Sequence, residues 1–495
     1  MNKYILAIDQ GTSSSRAIIF DKESNIISIA QKEIRSFYPK PGWVQQNADE
    51  IWASVVAVIY EALAKRNITL DQISAIGITN QRETTVVWDK RTGEPVHFAL
   101  VWQSRQTHNL CEEVKERGYQ ELIQERTGLK LDPYFSASKI RWILDHIENG
   151  QQRAEDGELA FGTIDSWLVY KLTGRRVHIT DTSNASRTML MDIKELKWSE
   201  ELCDIWNIPM KMLPEIRNTS ELYGYTHESL FNHQVPITSV VGDQQAALFG
   251  QICFKKGMVK NTYGTGCFIL MNVGNEYVSS NNGLLTTVGW SINGEVTYAL
   301  EGSVFVAGAA IQWLRDELNI ITDASLSETM ATSVEDNGGV YVVPTFVGMG
   351  APHWDAEATG SIYGLTRGSN KNHLVRATLE SMAYQTYDVV KAMEKDIGME
   401  ISSLQVDGGA SKNNFLMQWQ SNVLQKDVRR PLIQETTALG AAYLAGLAVG
   451  YWNDVSEIKS NWLEDKKFVP VVSKENMLKY ISKWEKATEV TKLFK

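Results

Sequence analysis

The stretch Asp9-Gln10-Gly11-Thr12-Ser13-Ser14-Ser15-Arg16 sets a carboxylate at the end of an apolar run, then a glycine, a series of hydroxyls and a guanidinium. Gly11 has no Cβ, so a backbone turn there can approach an anion closely. The N–H groups of such a turn, the hydroxyls of Thr12, Ser13 and Ser14, and the charge of Arg16 can all donate to phosphate oxygens. Asp9 beside them suits a Mg²⁺ partner. An ordinary polar hairpin turn has the same composition. No GxxxxGK[ST] string occurs, which excludes the Walker type of phosphate loop. A related turn, Tyr263-Gly264-Thr265-Gly266, stands near the middle of the chain. Two such turns, one in each half, could grip a polyphosphate from both sides.

Three further constellations could act beside a phosphate. Val406-Asp407-Gly408-Gly409-Ala410-Ser411 puts a Gly-Gly turn after a short strand, where a base or ribose can lie against bare backbone; a tight strand-to-helix turn reads the same way. Gly242-Asp243-Gln244-Gln245 follows the apolar run 237–241. An acid there can take the proton of an attacking hydroxyl, or merely begin a helix. Arg82 and Glu83, side by side after the apolar run 73–78, can bind neighbouring hydroxyls of one small molecule, or form a surface ion pair. Trp102 and Tyr134 complete the set of candidates.

The elements that must position these residues alternate in an α/β pattern. Residues 4–8, 16–20 and 26–30 read as strands, a helix is expected from about Asp49, and 73–78 is a buried strand. The strand–turn–strand grammar of the opening returns at 258–263 and 267–273, so the sequence predicts a duplicated, two-lobed architecture with a cleft, divided as 1–249 and 250–495. Helices are expected over 304–317, with Gly308 and Gln312 on one face, over 372–395, and over 438–450; another is expected to start near Asn413.

A length of 495 residues exceeds what one hydrophobic core usually serves. The net charge of −10 argues against nucleic acid or an anionic membrane as the main partner. Four scattered cysteines, without a CxxC or a Cys/His cluster, indicate neither a zinc site nor a disulfide framework, and fit a reducing compartment. The apolar stretch near the N-terminus stops at Asp9, and the run 438–450 is too short to span a bilayer; no targeting or membrane segment is expected.

Together these stretches resemble the FGGY carbohydrate kinases of the actin/hexokinase/Hsp70 fold superfamily, nearly end to end. The resemblance is carried by DQGTSSSRAIIF from Asp9, GITNQRETTVVWDK from Gly77, VWQSRQT from Val101 and LDPYFSASKIRWILDH from Leu131. It continues in GDQQAALFGQ from Gly242, KNTYGTGCF from Lys260, ALEGSVFVAGAAIQWLRD from Ala299 and VDGGASKNNFLMQ from Val406. The pair GITNQRET and GDQQAALFGQ points to the glycerol-phosphorylating branch; a sibling polyol or pentulose kinase is the alternative. A nucleotide-driven binding protein like the chaperone and actin relatives would have no use for the Arg82, Glu83 and Asp243 constellation.

The resemblance implies two ribonuclease-H-like lobes with ATP and Mg²⁺ in the cleft between them. It implies that Arg82, Glu83, Tyr134, Asp243 and Gln244 hold glycerol, that Thr12 lies beside it, and that Trp102 and Phe268 wall its carbon chain. Asp243 would be the general base. Thr12, Ser13, Ser14 and Arg16 would contact phosphates on one lobe and Thr265 on the other; Gly308, Gln312, Gly409 and Asn413 would line the nucleotide pocket. Asp9, with Asp243, would hold Mg²⁺. It further implies a cytoplasmic homodimer or homotetramer. Residues 225–233 depart from the family's Tyr-His-Phe-Tyr-Gly-like phosphorylation segment, so neither His227 nor His233 is expected to be phosphorylated. The loop that binds fructose 1,6-bisphosphate in some relatives is also missing there, so that feedback is not expected either.

Overall fold

In the computed structural model, which describes residues 3–494, the Gly11 turn joins β1 (Tyr4–Gln10) to β2 (Ser14–Phe20) in an antiparallel hairpin, closed by Gly11 N donating to Ser14 O at 2.9 Å. β3 (Ile26–Glu33) pairs antiparallel with β2. The chain then crosses through α1 (Ala48–Ala64), capped by the Asn47 side chain, to β4 (Ile73–Asn80), which lies parallel to β1. Helix α2 (Ser136–His146) stands apart from the sheet. β5 (Ser220–Tyr225) and β6 (Pro236–Gly242) follow, with β6 parallel to β4, and α3 (Asp243–Gly250) leaves the end of β6.

The second half repeats this connectivity. β7 (Val259–Tyr263) and β8 (Cys267–Gly274) form the hairpin, and β9 (Leu285–Ile292) and β10 (Glu295–Val304) extend it, with β10 antiparallel to β8. α4 (Gly308–Asp316) and the long α5 (Lys371–Ile397) lead to β11 (Ser403–Asp407), parallel to β7. After α6 (Asn414–Leu424), β12 (Asp427–Pro431) pairs parallel with β11; then come α7 (Thr436–Ala448) and the edge strand β13 (Glu464–Phe468). The runs β3-β2-β1-β4-β6 and β10-β8-β7-β11-β12 therefore have one topology, which is the duplication expected from the sequence. All thirteen strands nevertheless join in a single sheet, because β5 meets β9 at the pair Ser220 and Ile292.

Each half has its own core. Val55, Val58 and Ile59 of α1 pack on Ile19 and Ile78 in the first. Val375, Leu379, Met382, Val390 and Met393, the expected stripe of α5, pack on Ile269 and Leu404 in the second. Each such aliphatic side chain contributes about 1.5–3 kcal/mol when fully buried. Between the halves, α3 and α7, each following the last strand of its motif, cross backbone to backbone. A Cβ on Gly440 would lie 1.9 Å from Ala246 O, and one on Gly250 would lie 2.0 Å from Thr436 O. All four cysteines are buried and unpaired. Among the described residues no helix is long and apolar enough to cross a membrane.

One expectation needs correction. Val304 does not begin a helix: it ends β10, and α4 starts only at Gly308, because Leu300 and Val304 alternate inward as strand residues while Glu301 and Ser303 fill the other face. The helix expected to start near Asn413 is α6, which Asn413 caps after a short 3₁₀ turn over Gly409–Lys412.

Candidate active site

The parallel strands β1, β4 and β6 stop in one row, with Gln10 opposite Asn80 and Asn80 opposite Gly242. Parallel strands ending together leave a crevice at their carboxyl edge. The residues that follow them, Gly11, Arg82 with Glu83, and Asp243, therefore share one rim. Gln81 fastens it, donating to Gln10 Oε1 at 3.1 Å and to Gln46 Oε1 at 2.9 Å, while Gln46 donates to Thr12 O at 2.6 Å.

Arg82 is the hub. Its guanidinium donates to both carboxylate oxygens of Glu301, at 2.5 and 3.1 Å, and to Gln245 Oε1 at 3.3 Å; Nη2 reaches the Tyr134 hydroxyl at 3.4 Å and Nε lies 3.3 Å from Asp243 Oδ1. Glu83 sits at φ +60°, a left-handed conformation uncommon without glycine. Its carboxylate accepts from Arg187 Nε at 2.6 Å, and Arg187 Nη2 donates to Glu301 at 2.9 Å. The Trp102 ring meets Tyr134 and Phe268 edge-on, at 5.6 and 6.2 Å, making an apolar wall beside these charges.

Trp102 also connects the wall to the first turn, its indole N–H donating to Thr12 Oγ1 at 2.9 Å. Ser13, just before β2, is exposed and Ser14 is half-buried, whereas Ser15 turns inward to Ser54 at 2.8 Å. Arg16 pairs with Asp9 at 2.7 Å and with Glu435, just before α7, at 2.6 Å. On the other side, the 264–266 turn presents an exposed Thr265, and its carbonyls receive the N-terminus of α4: Gly308 N donates to Gly264 O at 3.0 Å. Gly408, at φ +84°, presses on this turn, since a Cβ there would lie 2.5 Å from Tyr263 O; Gly409 faces open space. Asp407 accepts from Gln251 at 2.7 Å and from Thr436 at 2.8 Å, so the path from Arg16 through Glu435 and Thr436 reaches the Gly-Gly turn.

The structure thus brings Thr12, Arg82, Glu83, Trp102, Tyr134, Asp243 and Phe268 into one cluster, and Thr265, Gly308 and Gly409 into a second, linked to the first by the hairpin that carries both Thr265 and Phe268. Gln244 belongs with the first, through Lys260 Nζ donating to its Oε1 at 2.5 Å. Gln312 is exposed one turn along α4 from Gly308. Asn413 is committed locally: its side chain caps α6 at Leu416 N (2.9 Å) and donates to Ser327 at 3.2 Å.

Burial dominates the electrostatics. It raises the carboxyls of Asp243, Glu83 and Asp9 above their ordinary range, against the pull of Arg82 on the first two and of Arg16 on Asp9. It lowers the buried Lys260 ammonium to about 8, opposed by Asp407 and Asp243. Glu301 is the exception: burial alone would raise it, but the Arg187 and Arg82 charges bring it down to about 2. Among the described residues no three His, Cys, Asp or Glu side chains cluster as a metal cage. Asp9 and Asp243, on strand ends flanking β4, fit a hard cation that keeps water and phosphate oxygens as its other ligands.

Sequence reasoning missed Arg187, Glu301 and Lys260. Glu301 stands inside the ALEGSVFVAGAAIQWLRD stretch, and an acid in the middle of the run 298–304 was the available signal; Arg187 had none.

The model for the N-terminal domain of the FGGY family of carbohydrate kinases matches residues 4–250, and that for the C-terminal domain matches residues 259–449. Glycerol kinase of Bacillus cytotoxicus is 59% identical over 496 residues, covering 100% of both chains, and that of Bacillus mycoides is 58% identical over the same span. The crystal structure of Plasmodium falciparum glycerol kinase with ADP superposes with a TM-score of 0.93 at 37% identity, over 99% of this chain and 98% of that one. A xylulose kinase from Lactobacillus acidophilus shares the fold, with a TM-score of 0.88 at 22% identity over 99% and 97%. The repeated sheet topology, both domain models and relatives aligned along their whole length agree: the chain belongs to the FGGY family of carbohydrate kinases.

Proposed function

We propose that this enzyme moves the γ-phosphoryl group of ATP onto a primary hydroxyl of glycerol, giving sn-glycerol 3-phosphate and ADP. The observation that carries the reading is the Arg82 hub: charged groups suited to hydroxyls, an aromatic wall suited to a short carbon chain, and Asp243 at the rim, with the wall bonded to the first glycine-hydroxyl turn through Thr12. Full-length glycerol kinase relatives at 58–59% identity support the same substrate.

In this reading Arg82, Glu83 and Tyr134 bind the polyol hydroxyls, with Gln244 nearby and Trp102 and Phe268 against the carbons. Asp243 accepts the proton as the alcohol oxygen bonds to the γ-phosphorus and the bond to the β–γ bridging oxygen breaks. Its raised carboxyl makes it a better proton acceptor than an ordinary aspartate. Thr12, Ser13, Ser14 and Arg16 hold phosphate from one side and Thr265 from the other. Gly308, Gln312, Gly409 and the region of Asn413 line the nucleotide. Asp9 and Asp243 hold Mg²⁺, which when bound neutralises charge on the β- and γ-phosphates. Little covalent chemistry is required; alignment and a dry site supply most of the catalysis.

The chain divides at 249/250 into a half with the polyol site and a half with most of the nucleotide site, the outermost residues of both ranges lying outside the described ones. The acidic charge and buried free thiols support a cytoplasmic enzyme, and the family suggests a homodimer or homotetramer. A coupled ADP-release assay with Mg²⁺-ATP and glycerol, xylulose, ribulose and erythritol tests the substrate. Glycerol should be turned over fastest; faster turnover of a pentulose would reassign it to a sibling activity.

A further inference from the structure

Arg82 and Glu83 are neighbours in sequence, yet the contact between their side chains is looser than the ion pairs each makes elsewhere. Arg82 Nε is 3.8 Å from Glu83 Oε1, while each is bound more closely by a partner from elsewhere. Glu301, from β10 in the second half, takes the Arg82 guanidinium on both its oxygens. Arg187 takes the Glu83 carboxylate and also bonds Glu301. The four charges form a closed ring of alternating sign, and all four side chains are at most 2% exposed.

A ring buried this deeply is a poor device for stability, because desolvation offsets most of the attraction and apolar side chains of equal volume would hold the fold as well. What it supplies is direction: a bidentate fork fixes a guanidinium plane. Arg187 keeps one buried donor, Nη1, with no acceptor among the described residues, whereas a purely structural arginine would normally saturate its donors. Its guanidinium also stacks over Tyr134 and Phe135, at 5.7 and 5.2 Å, so it braces the tyrosine of the same cluster.

We propose that Glu301 and Arg187 are positioning residues for the polyol: they set the orientation of Arg82 and Glu83, and because Glu301 comes from the second half, the polyol site is complete only when the two halves hold this register. The inference rests on the functional reading above for its ligand, though not on that ligand being glycerol.

The test begins with the parent protein, whose best polyol in the ADP-release panel and whose polyol-induced rise in melting temperature are recorded. Glu301→Gln and Arg187→Lys are then compared with it. Each should raise the polyol KM by about tenfold or more while the ATP KM stays within about twofold and kcat falls by less than KM rises. The polyol-induced melting shift should disappear while the shift caused by a non-hydrolysable ATP analogue remains. An unchanged polyol KM in a folded variant overturns the proposal, as does a parallel rise in both KM values, which would mark a general structural role. If a single variant does not fold, the charge-balanced Glu301→Gln/Arg187→Gln protein decides: a retained polyol shift overturns the proposal. A parent that prefers another polyol refutes the glycerol reading alone, and the variants are scored with that polyol. A parent shifted by no polyol refutes both.

Discussion

Asp243 lies where two demands meet. It must be ionised to take a proton, and 28% side-chain exposure with a single Arg82 nitrogen at 3.3 Å leaves it less firmly paired than Glu301. Asp243→Asn, isosteric but unable to accept the proton, should lower kcat by about 10²–10⁴-fold with ATP binding intact, measured by single-turnover kinetics and nucleotide titration. Normal turnover in that variant would remove Asp243 from the chemistry. Arg82→Ala removes contacts made throughout the reaction, so the glycerol KM should rise more than kcat falls. Glu301 predicts a pH effect on stability. Its carboxyl falls to about 2 in the folded chain from an ordinary 4.5, so its contribution is fully present above pH 4.5 and is lost as pH drops from 4.5 towards 2. Urea midpoints over that range should fall more steeply for the parent than for Glu301→Gln. Arg82, Glu83 and Asp243 were legible because motif stretches carry them. Arg187 was not: its partners lie 104 and 114 positions away, and no local pattern marks a residue that works across the fold.

Hairpins with glycine turns and crossover helices are the elements that deliver these side chains, and most were legible from alternation and helical spacing. Every residue of the expected α5 stripe is buried, within a wider buried face that also takes in Arg376 and Glu380. Failures came where two elements abut. Val304 lies between a strand and a helix, and the apolar run across 304–311 suits both; the hydrogen bonds from β10 to β8 decide in favour of the strand. The crossing of α3 and α7 was invisible, since Ala- and Gly-rich helices announce close packing without naming a partner. Its geometry makes a sharp prediction. Gly440→Ala would drive a methyl into the Ala246 carbonyl, and the helices must part to admit it. The cost should be about 3 kcal/mol, seen as a lower urea midpoint, with loss of activity tracking loss of folded protein.

At the scale of the molecule, the two halves are joined by the β5–β9 strand pair, by the α3–α7 crossing, by a shared apolar cluster in which α7 packs on Ile5, Ala7 and Ala75, and by ion pairs of Glu301 and Glu435. Binding glycerol together with a non-hydrolysable ATP analogue and Mg²⁺ should draw them together, measured as a smaller radius of gyration in solution scattering than for the ligand-free protein. An unchanged radius would mean that the ligand-free form is already closed. The duplication was legible in two hairpins with Gly-Thr turns, one opening each half. The single continuous sheet was not, because edge pairing between β5 and β9 leaves no mark in either strand.

Burial of Cys111, Cys203, Cys253 and Cys267, with every thiol pushed above its ordinary range by loss of solvent, has a practical corollary. Maleimides and other sulfhydryl reagents need an accessible thiolate, and the native chain offers none. A cysteine introduced on the solvent face of either half will therefore take a fluorophore or spin probe by itself. Distance measurements across the molecule can begin from the natural sequence, without first stripping it of sulfur.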